Sequence, residues 1–251
     1  MKVSLITVCY NAAPLIRSCI DSVLAQDHPD IEYIIVDGNS NDGTQDIVKS
    51  YGGRIAKFIS EKDKGLYDAM NKGIGMATGE VVGIINADDF YASPGVISRV
   101  AREFTDKQAD AVFGDIVYVR EGDLEKVIRY FPGKGNWPAD FTRGLMPPHP
   151  SFFVRRRLYE QIGVFDTSYK ICADFDLMVR FLYKGAAPFS YVPETFLRMR
   201  AGGSSTQGLR STLTINQEML RSLRSHGVRS NLLKIYAKYF SKVFQLIARP
   251  S

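Results

Sequence analysis

The sequence predicts an α/β fold with a mostly parallel central sheet that is flanked by helices. Strand-like apolar runs alternate with segments of helical periodicity over the first 90 residues, which is the pattern of parallel strands joined by crossover helices. Turn-rich stretches such as GNSNDGT separate these segments. Hydrophobic residues at 45% and charged residues at 24% of the 251-residue chain provide a core for one large domain, or for one domain with an appendage.

The first half of the chain is predicted to contain four strands and the helices between them. The strands are KVSLITVC, IEYIIVD, RIAKFISE and EVVGIIN. The connecting helices are LIRSCIDSVLAQ, DIVKSYG and LYDAMNKGIGMA. Apolar residues recur at helical spacing in the first helix, and Pro14 suits its first turn, where a backbone N–H is not needed. A further helix, SPGVISRVAREF, follows the fourth strand.

From residue 111 the pattern changes. AVFGDIVYVR and KVIRYF predict antiparallel strands around the turn EGD. The remaining predictions are a loop-rich GKGNWPADFTRGLMPPHPS, a helix in DFDLMVRFLYKG, a strand in PFSYVPETFLRMR and two helical stretches after AGGSSTQG. We therefore divide the chain into a first half, 1–110, a second half, 111–207, and a basic tail, 208–251.

The net charge of +5 is concentrated in this tail. Residues 208–251 contain eight Lys or Arg and one acid, whereas the first 207 residues contain 24 Lys or Arg and 26 acids. A near-neutral body argues against nucleic acid as a partner. The longest apolar runs are shorter than the roughly 18 residues of a membrane span, and the N-terminus is typical of a strand rather than a signal peptide. Three cysteines without a CxxC pair predict reduced thiols in a cytoplasmic protein.

Residues 231–248 predict an amphipathic helix. Aromatic and aliphatic side chains form a broad stripe along it, and the lysines fall opposite. Two interpretations remain open. Either the helix packs on protein, or it lies at the inner face of the cytoplasmic membrane with its lysines on anionic lipid.

Polar side chains collect at the carboxyl ends of the predicted parallel strands, where such sheets bind ligands. They are Tyr10, Asn11, Asp37, Glu61 to Lys64 and Asn86 to Asp89. No GxGxxG follows the first strand, so a nicotinamide site is not expected. The neighbouring acids of NADDFY repel each other, and burial would add to that cost. They form either a cap for the next helix or half of a Mg²⁺ or Mn²⁺ site that substrate phosphates complete.

The other candidates also have a structural alternative. Asp37 either stabilises a turn or accepts hydrogen bonds from a heterocycle or ribose. The lysines of SEKDKGLYDAMNKG either form a solvated cluster or contact phosphate. Asp174 either begins a helix, where the dipole favours a carboxylate, or acts as a positioned base. His149 and Trp137 either pack within their loop or contact an acceptor.

Four segments, taken in order, resemble a family 2 glycosyltransferase of the GT-A fold. They are VSLITVCYN, IIVDGNSNDGT, KDKGLYDAMNKGIGMATGEVVGIINADDFY and ADFDLMVRF, and their order and spacing agree with the family over roughly residues 2–205. The resemblance is nearest to bacterial enzymes that build O-antigen and similar surface polysaccharides. It implies an inverting hexosyltransferase that uses a nucleotide-sugar and a divalent cation, Mg²⁺ or Mn²⁺.

The resemblance also implies roles for individual residues. Asp174 matches the proposed general base, and Asp88 matches the metal-binding acid of the DxD-type motif. On this basis the donor is expected to contact Val8, Tyr10, Asn11, Asp37, Lys64, Gly65, Asn71, Asn86, Ala87 and Asp88. The first half of the chain is expected to bind this donor, and the second half, with His149 and Trp137, the acceptor.

The sequence departs from the family pattern at three places. Ala173 stands where the family has a Glu, and Asn86 stands where it has the first acid of the DxD motif. AGGSS follows LRMR where many relatives place a metal-holding His. These changes weaken the expected metal site and remove an acid beside the base. The QxxRW motif of processive synthases is also absent, which implies transfer of one sugar at a time.

We therefore expect transfer of a sugar from a UDP-sugar to a hydroxyl of a saccharide acceptor, which is lipid-linked if the tail binds membrane. UDP is expected because Asp37 suits uracil in this family. Two alternatives stay open. A nucleotidyltransferase would show a Gly/Arg-rich phosphate loop, which CYNAAPL is not, and a non-catalytic sugar-binding or scaffold protein would not need the missing residues. A glycoside hydrolase would use two carboxylates but needs no nucleotide site.

Overall fold

The computed structural model describes residues 1–201 and 209–236, so the AGGSS segment and most of the predicted tail helix lie outside the described residues. The chain groups into two compact units. The sheet unit comprises 1–134, 147–165 and 187–202, and the helical unit comprises 135–146, 166–186 and 203–251. Each unit combines separate stretches of the chain, whereas the predicted division at residues 110 and 207 cuts the sequence into consecutive pieces.

Nine strands of the described residues form one sheet in the sheet unit. They are β1 Val3–Cys9, β2 Ile31–Asp37, β3 Lys57–Ser60, β4 Val81–Asn86, β5 Phe90–Tyr91, β6 Ala111–Arg120, β7 Asp123–Phe131, β8 Phe153–Arg155 and β9 Phe189–Arg200. Their order is β3-β2-β1-β4-β8-β6-β9-β5, and β7 pairs with β6. The predicted parallel pairing of the first four strands is confirmed. The later strands make the sheet mixed, because β6 pairs antiparallel with β7 and β8 but parallel with β9.

Several α-helices accompany these strands in the described residues, besides a helical segment at 232–236. They are α1 Ile16–Leu24, α2 Thr44–Lys49, α3 Leu66–Met76, α4 Val96–Asp106, α5 Arg156–Ile162, α6 Ala173–Met178 and α7 Leu209–Ser225. The helix predicted in DFDLMVRFLYKG begins as α6 and continues as a π-helical segment, Val179–Lys184. The short strands β5 and β8 were not predicted, because two or three residues carry too little periodicity to detect.

The register of the parallel strands brings their carboxyl ends to one edge. Cys9 of β1 pairs with Asp37 of β2, and Asp37 pairs with Ser60 of β3. On the other side of β1, Val8 pairs with Asn86 of β4. The side chains that follow these four strands therefore start from neighbouring positions, as the sequence predicts.

The centre of the sheet is buried on both faces. All seven residues of β1 are buried, as expected for a parallel strand that helices cover. Two glycines permit the closest contacts. A Cβ atom at Gly73 of α3 would lie 2.4 Å from Cγ2 of Ile6, and one at Gly83 of β4 would lie 2.4 Å from the ring of Phe153. These contacts seat α3 on β1 and β8 beside β4.

The C-terminal part of the described chain is helical and partly buried. Residues 232–236 form a helical segment in which Ile235 is buried and Leu233 is 82% exposed. In the two described ranges, no helix is both long enough and apolar enough to cross a membrane. Cys9, Cys19 and Cys172 are all buried free thiols.

Candidate functional site

Two loops at the strand-end edge are joined by hydrogen bonds. The backbone N–H of Asn11, after β1, donates to Oγ of Ser40 at 2.8 Å, and that of Ala13 donates to Oδ2 of Asp42 at 3.0 Å. Asp42 also accepts hydrogen bonds from the hydroxyl and the backbone N–H of Thr44. The hydroxyl of Thr44 is the main cause that lowers the pKa of Asp42. The segment GNSNDGT is therefore a self-bonded turn that fixes the loop after β1.

The carboxylate of Asp37 forms hydrogen bonds within this turn. Its side chain is fully buried. Oδ2 accepts the backbone N–H of Ser40 at 2.9 Å and the hydroxyl of Ser60 at 2.6 Å, and Oδ1 accepts the hydroxyl of Ser40. Both oxygens are buried and accept hydrogen bonds within the turn, and the contact of this carboxylate with the base or ribose stays a prediction. Asp37 holds the turn at the ends of β2 and β3.

The loop between β3 and α3 presents Lys64 to solvent. The backbone N–H of Lys64 donates to Oδ2 of Asp68 at 3.0 Å, and that of Gly65 donates to Oδ1 of Asp63 at 2.8 Å. Gly65 has a φ angle of +114°, which a glycine adopts without strain. These bonds fix the loop backbone while the side chain of Lys64 stays exposed. This placement suits the predicted contact with phosphate.

Asn71 binds the backbone of another loop. Its Nδ2 donates to the carbonyl of Phe165 at 2.9 Å, and its Oδ1 accepts the backbone N–H of Phe165 at 2.9 Å. The ring of Phe165 stacks on Tyr67 with centroids 5.5 Å apart. The Asn71 side chain therefore joins α3 to the loop at Phe165, and its contact with the nucleotide stays a prediction.

The two acids of NADD have different environments. Asp88 is half-buried, whereas Asp89 is 1% exposed. In the described part of the chain, neither oxygen of Asp89 has a hydrogen-bond partner, and the same holds for Oδ1 of Asn86. Burial, together with the negative charge of Asp88, raises the pKa of Asp89 well above its usual range. An unpaired buried carboxylate costs stability, so this end of β4 is an electrostatically unfavourable place for two acids.

A positive charge from β9 lies near this pair. Arg200 donates to Oγ of Ser18 at 2.7 Å, and its guanidinium lies 5.5 Å from the ring centroid of Phe90. The neighbouring amide of Asn86 and, to a smaller extent, the charge of Arg200 act to lower the pKa of Asp89, although burial outweighs both. Within the described ranges, Nε of Arg200 has no hydrogen-bond partner. Arg200 thus reduces the repulsion between the acids without forming an ion pair with them.

The residues at this edge fit a divalent cation that is only partly held by protein. The described residues contain no group of three His, Cys, Asp or Glu that could hold a metal by itself. They do contain a half-buried carboxylate, Asp88, beside buried side-chain oxygens of Asn86 and Asp89 that have no partner within the described chain. Mg²⁺ and Mn²⁺ take one or two carboxylates together with substrate phosphates. The donor set therefore suits a cation that arrives with a diphosphate.

Asp174 lies in the first turn of α6 in the helical unit. It is half-buried, and the other five residues of α6 are buried. Its Oδ1 accepts the backbone N–H of Phe175 at 2.8 Å. The apolar residues of ADFDLM thus face the core of this unit and leave Asp174 as the side chain with access to solvent. Access to solvent is compatible with the role of general base, which stays a prediction.

Glu218 of α7 holds the segment that leads into α6. Its carboxylate accepts three backbone N–H groups, from Lys170 at 2.8 Å and from Ile171 and Cys172 at 3.0 Å each. Ala173 has no side chain that could bind here. The acid that supports the start of α6 therefore comes from a helix about 45 residues later in the chain, and it binds backbone rather than Asp174 itself.

Asp176 joins α6 to α7. It is 2% exposed and accepts hydrogen bonds from Nε of Arg180 at 2.8 Å, Oγ of Ser222 at 2.9 Å and Nε2 of His226 at 2.8 Å. Burial acts to raise the pKa of Asp176, but these hydrogen bonds outweigh it and hold the pKa below its usual value. The second acid of ADFD is therefore a structural residue.

The two predicted acceptor residues lie in different units. His149 is half-buried in the sheet unit, where it begins a 3₁₀ turn that ends at Ser151. Trp137 is half-buried in the helical unit, with its ring 5.5 Å from that of Phe141. Phe141 in turn packs edge-on against Phe175 of α6. Both residues are partly accessible, and their contact with an acceptor stays a prediction.

The structure thus places the predicted residues that end or follow β1 to β4 at one edge of the sheet unit, where Val8 and Ala87 are buried. It also gives contacts to three residues for which the sequence predicted no individual role. Asp63 belongs to the polar group Glu61 to Lys64 and to the segment KDKG, Arg200 ends the predicted strand LRMR, and Glu218 is the lone acid of the basic tail. A single acid within a basic segment only weakly predicts that its side chain binds another part of the same chain.

Residues 4–163 match the family model described as Glycosyl transferase family 2. Among curated proteins, the chain is similar to the PGL/p-HBAD biosynthesis glycosyltransferase of Mycobacterium bovis, with 29% identity over 231 residues, 88% of this chain and 83% of the relative. It is also similar to the uncharacterized glycosyltransferase EpsJ of Bacillus subtilis, with 38% identity over 185 residues, 68% of this chain and 53% of the relative.

Solved structures share the fold. TarS of S. aureus, residues 1–349 in complex with UDP-GlcNAc, has a TM-score of 0.70 at 18% identity, over 89% of this chain and 66% of that chain. The mannosyltransferase PcManGT from Pyrobaculum calidifontis, in complex with GDP-Man and Mn²⁺, has a TM-score of 0.63 at 18% identity, over 94% and 69% of the two chains. This chain therefore spans about two thirds of each structure.

Proposed function

The chain belongs to glycosyltransferase family 2, and we propose that it transfers one sugar at a time from a UDP-sugar to a hydroxyl of a saccharide acceptor, with inversion. The observation that carries this proposal is the strand-end edge of the sheet unit. There the exposed ring of Tyr10, the fixed turn after β2, the exposed Lys64 and the acids of NADD follow neighbouring strands. A base, a phosphate and a cation each find a chemically suitable partner along this edge.

We propose that the transfer serves the building of bacterial surface glycans, such as O-antigen-like polysaccharides, and a similar protein with a biosynthetic name supports this. The Mycobacterium bovis relative is named for biosynthesis of PGL and p-HBAD. TarS was solved with UDP-GlcNAc and PcManGT with GDP-Man, so both nucleotide types occur on this fold. For this chain we propose UDP as the nucleotide of the donor and a hexose as the sugar that is transferred.

Asp88 is proposed to hold a Mg²⁺ or Mn²⁺ ion together with the donor diphosphate. When bound, such a cation supplies Lewis-acid stabilisation for the charge on the leaving diphosphate. Lys64 and Arg200 add fixed positive charge on the same unit, which favours an anionic ligand at this edge. Asn86 contributes a neutral oxygen in place of the family's acid, so we expect weaker cation affinity in the absence of nucleotide.

Asp174 is proposed to be the general base. As the acceptor oxygen bonds to the anomeric carbon, its proton passes to a carboxylate oxygen of Asp174. The bond from the anomeric carbon to the diphosphate oxygen breaks, and its electron pair leaves with UDP. An ordinary Asp, with a pKa of about 3.9, is a weak base. Its contribution to the rate would come from its position next to the acceptor hydroxyl. General-base catalysis typically accelerates a reaction by roughly 10²–10⁴-fold.

The acceptor is proposed to be lipid-linked, with the chain held at the inner membrane face by residues 231–248. In the described part of this segment Ile235 is buried in the protein, so the membrane contact would begin after residue 236. The test is flotation with anionic liposomes of the full chain and of a chain that ends at Tyr236. Equal flotation of the two would remove this part of the proposal.

The decisive experiment for the proposed function is calorimetric titration of UDP with and without Mn²⁺. We expect the wild-type protein to bind UDP more tightly with Mn²⁺, and Asp88→Ala to lose that dependence. The matched control is Asp106→Ala, which removes an exposed acid at the end of α4. If Asp88→Ala kept the full effect of Mn²⁺, Asp88 would not be the cation ligand. If no nucleoside diphosphate bound the wild type, a scaffold role would replace transferase activity.

A further inference from the structure

We propose that Asp63, in the loop between β3 and α3, is the carboxylate that recognises the donor base, and that it selects uracil. This inference rests on the proposed function and names the residue that sets its base preference. Asp37 was expected in this role, but its carboxylate is buried and satisfied by Ser40 and Ser60. The edge therefore needs another acceptor if a base is to be recognised there.

The side chain of Asp63 lies over the end of β2. A Cβ atom built at Gly38, the first residue after this strand, would lie 2.6 Å from Oδ2 of Asp63 and 3.2 Å from Cδ2 of Tyr10. Gly38 is held to β1 by its backbone N–H, which donates to the carbonyl of Cys9 at 2.9 Å. The absence of a side chain at Gly38 thus makes room for the carboxylate of Asp63 and the ring of Tyr10 to meet at the strand ends.

The two oxygens of Asp63 are not equivalent. Oδ1 accepts the backbone N–H of Gly65 at 2.8 Å, which orients the carboxylate. Oδ2, the oxygen above Gly38, accepts no hydrogen bond from the described residues, and the side chain is half-buried. One acceptor atom is therefore oriented and available at the edge of the sheet.

A single available acceptor matches uracil better than the other bases. Uracil presents one N–H, at N3, between two carbonyl groups. Guanine presents an N–H and an amino group side by side, and a carboxylate recognises that pair best with both oxygens, of which Gly65 already occupies one. Cytosine presents an acceptor at the same ring position, so it would face Oδ2 with a lone pair. Tyr10, whose side chain is 65% exposed, offers a ring face on which the base can stack.

The test is a comparison of UDP, CDP and GDP affinities by calorimetry at fixed Mg²⁺ concentration. In Asp63→Asn, Oδ1 can keep the bond to Gly65 while the amide N–H₂ replaces the free acceptor. We expect UDP affinity to fall by about 10- to 100-fold, the range for a hydrogen bond to a charged group, and CDP affinity to be kept or to rise. Gly38→Ala is expected to weaken UDP binding as well, because its methyl group displaces Oδ2 while the charge is unchanged.

The control is Asp46→Asn, which neutralises an exposed acid on α2, and it should leave all three affinities unchanged. If Asp63→Asn and Gly38→Ala retained the wild-type UDP affinity and the preference over CDP, the assignment of Asp63 would be wrong while the proposed function stood. A wild-type protein that binds GDP more tightly than UDP would overturn the choice of uracil. A wild-type protein that binds none of the three would overturn the proposed function, and this inference with it.

Discussion

The sheet unit contains the acid pair of NADD, and the helical unit contains the acid pair of ADFD. The buried acid of each pair, Asp89 or Asp176, differs in its hydrogen bonds and in the direction of its pKa shift. Asp89 and Asp176 are 1% and 2% exposed. Asp176 accepts hydrogen bonds from three side chains of its own unit, and they lower its pKa despite burial. Asp89 has no hydrogen-bond partner among the described residues, and burial together with Asp88 raises its pKa.

The difference shows that burial alone does not assign a role to an acid. A buried carboxylate with a full set of donors joins elements, and removing it leaves its partners uncompensated. A buried carboxylate without donors costs stability in the isolated protein. Such a cost is tolerable where a ligand later supplies positive charge, and Asp89 stands next to the proposed cation ligand. In both pairs the half-buried acid, Asp88 or Asp174, is the one proposed to act in the reaction.

The largest effect is expected from the half-buried acid of the helical unit. Asp174→Asn keeps the shape of the side chain but removes the base, so we expect the transfer rate to fall by roughly 10²–10⁴-fold. UDP affinity should stay within about twofold, because Asp174 is proposed to act only on the acceptor. Initial rates and calorimetry on the same preparation measure both. The control is Asp166→Asn, an exposed acid of the helical unit, and wild-type rates in Asp174→Asn would remove the general-base assignment.

The next largest effect is expected from the paired buried acid. Asp176→Asn leaves Arg180 and His226 without their charged partner, so we expect a loss of about 3–5 kcal/mol in the free energy of unfolding. The folded-state pKa of Asp176 is lowered, so its stabilisation is present above the unfolded value of about 3.9 and is lost as pH falls through the folded value. Urea unfolding across that range should show the difference between wild type and variant narrowing towards low pH. A pH-independent difference would mean that the charge of Asp176 is not what joins the helices.

A smaller effect is expected from Glu218, which supports the start of α6. Glu218→Gln has one carbonyl oxygen for three backbone N–H groups, so we expect a loss of about 1–3 kcal/mol in stability. Because the released segment leads directly to Asp174, the transfer rate should fall more than UDP affinity does. Rates and affinities measured well below the melting temperature separate the two roles. If the rate matched wild type under these conditions, Glu218 would support the fold without positioning the base.

The smallest effect is expected from the unpaired buried acid. Asp89→Asn removes a charge that has no donor within the described chain, so the metal-free protein should be equally stable or more stable, by about 1 kcal/mol. The stabilisation that Mn²⁺ with UDP confers should decrease at the same time. Thermal unfolding in EDTA and in Mn²⁺ with UDP measures both. If Asp89→Asn lost several kcal/mol in the free energy of unfolding in EDTA, Asp89 would have structural partners. It would then not differ from Asp176 in this respect.

Local patterns in the sequence predicted most of the elements and the edge where the site lies. Period and turn residues located β1 to β4, and the parallel pairing of these strands followed from their alternation with helices. The same patterns could not predict how the two acids within one motif differ in burial and hydrogen bonding. NADD and ADFD each offer two acids one or two residues apart, and nothing local says that Asp89 is buried without donors while Ser222 and His226 of α7 satisfy Asp176.

The sequence by itself determined the α/β class, the collection of polar residues at the strand ends and the family to which those motifs belong, because these depend on periodicity and on residues close together in the chain. Only the tertiary structure decided which side chains remain available to a ligand. The side chains of Asp37 and Asn71 form hydrogen bonds with Ser40, Ser60 and Phe165, whereas Oδ2 of Asp63 accepts no hydrogen bond from the described residues and lies above Gly38. Availability depends on partners that folding brings from distant parts of the chain, and a linear pattern does not contain them.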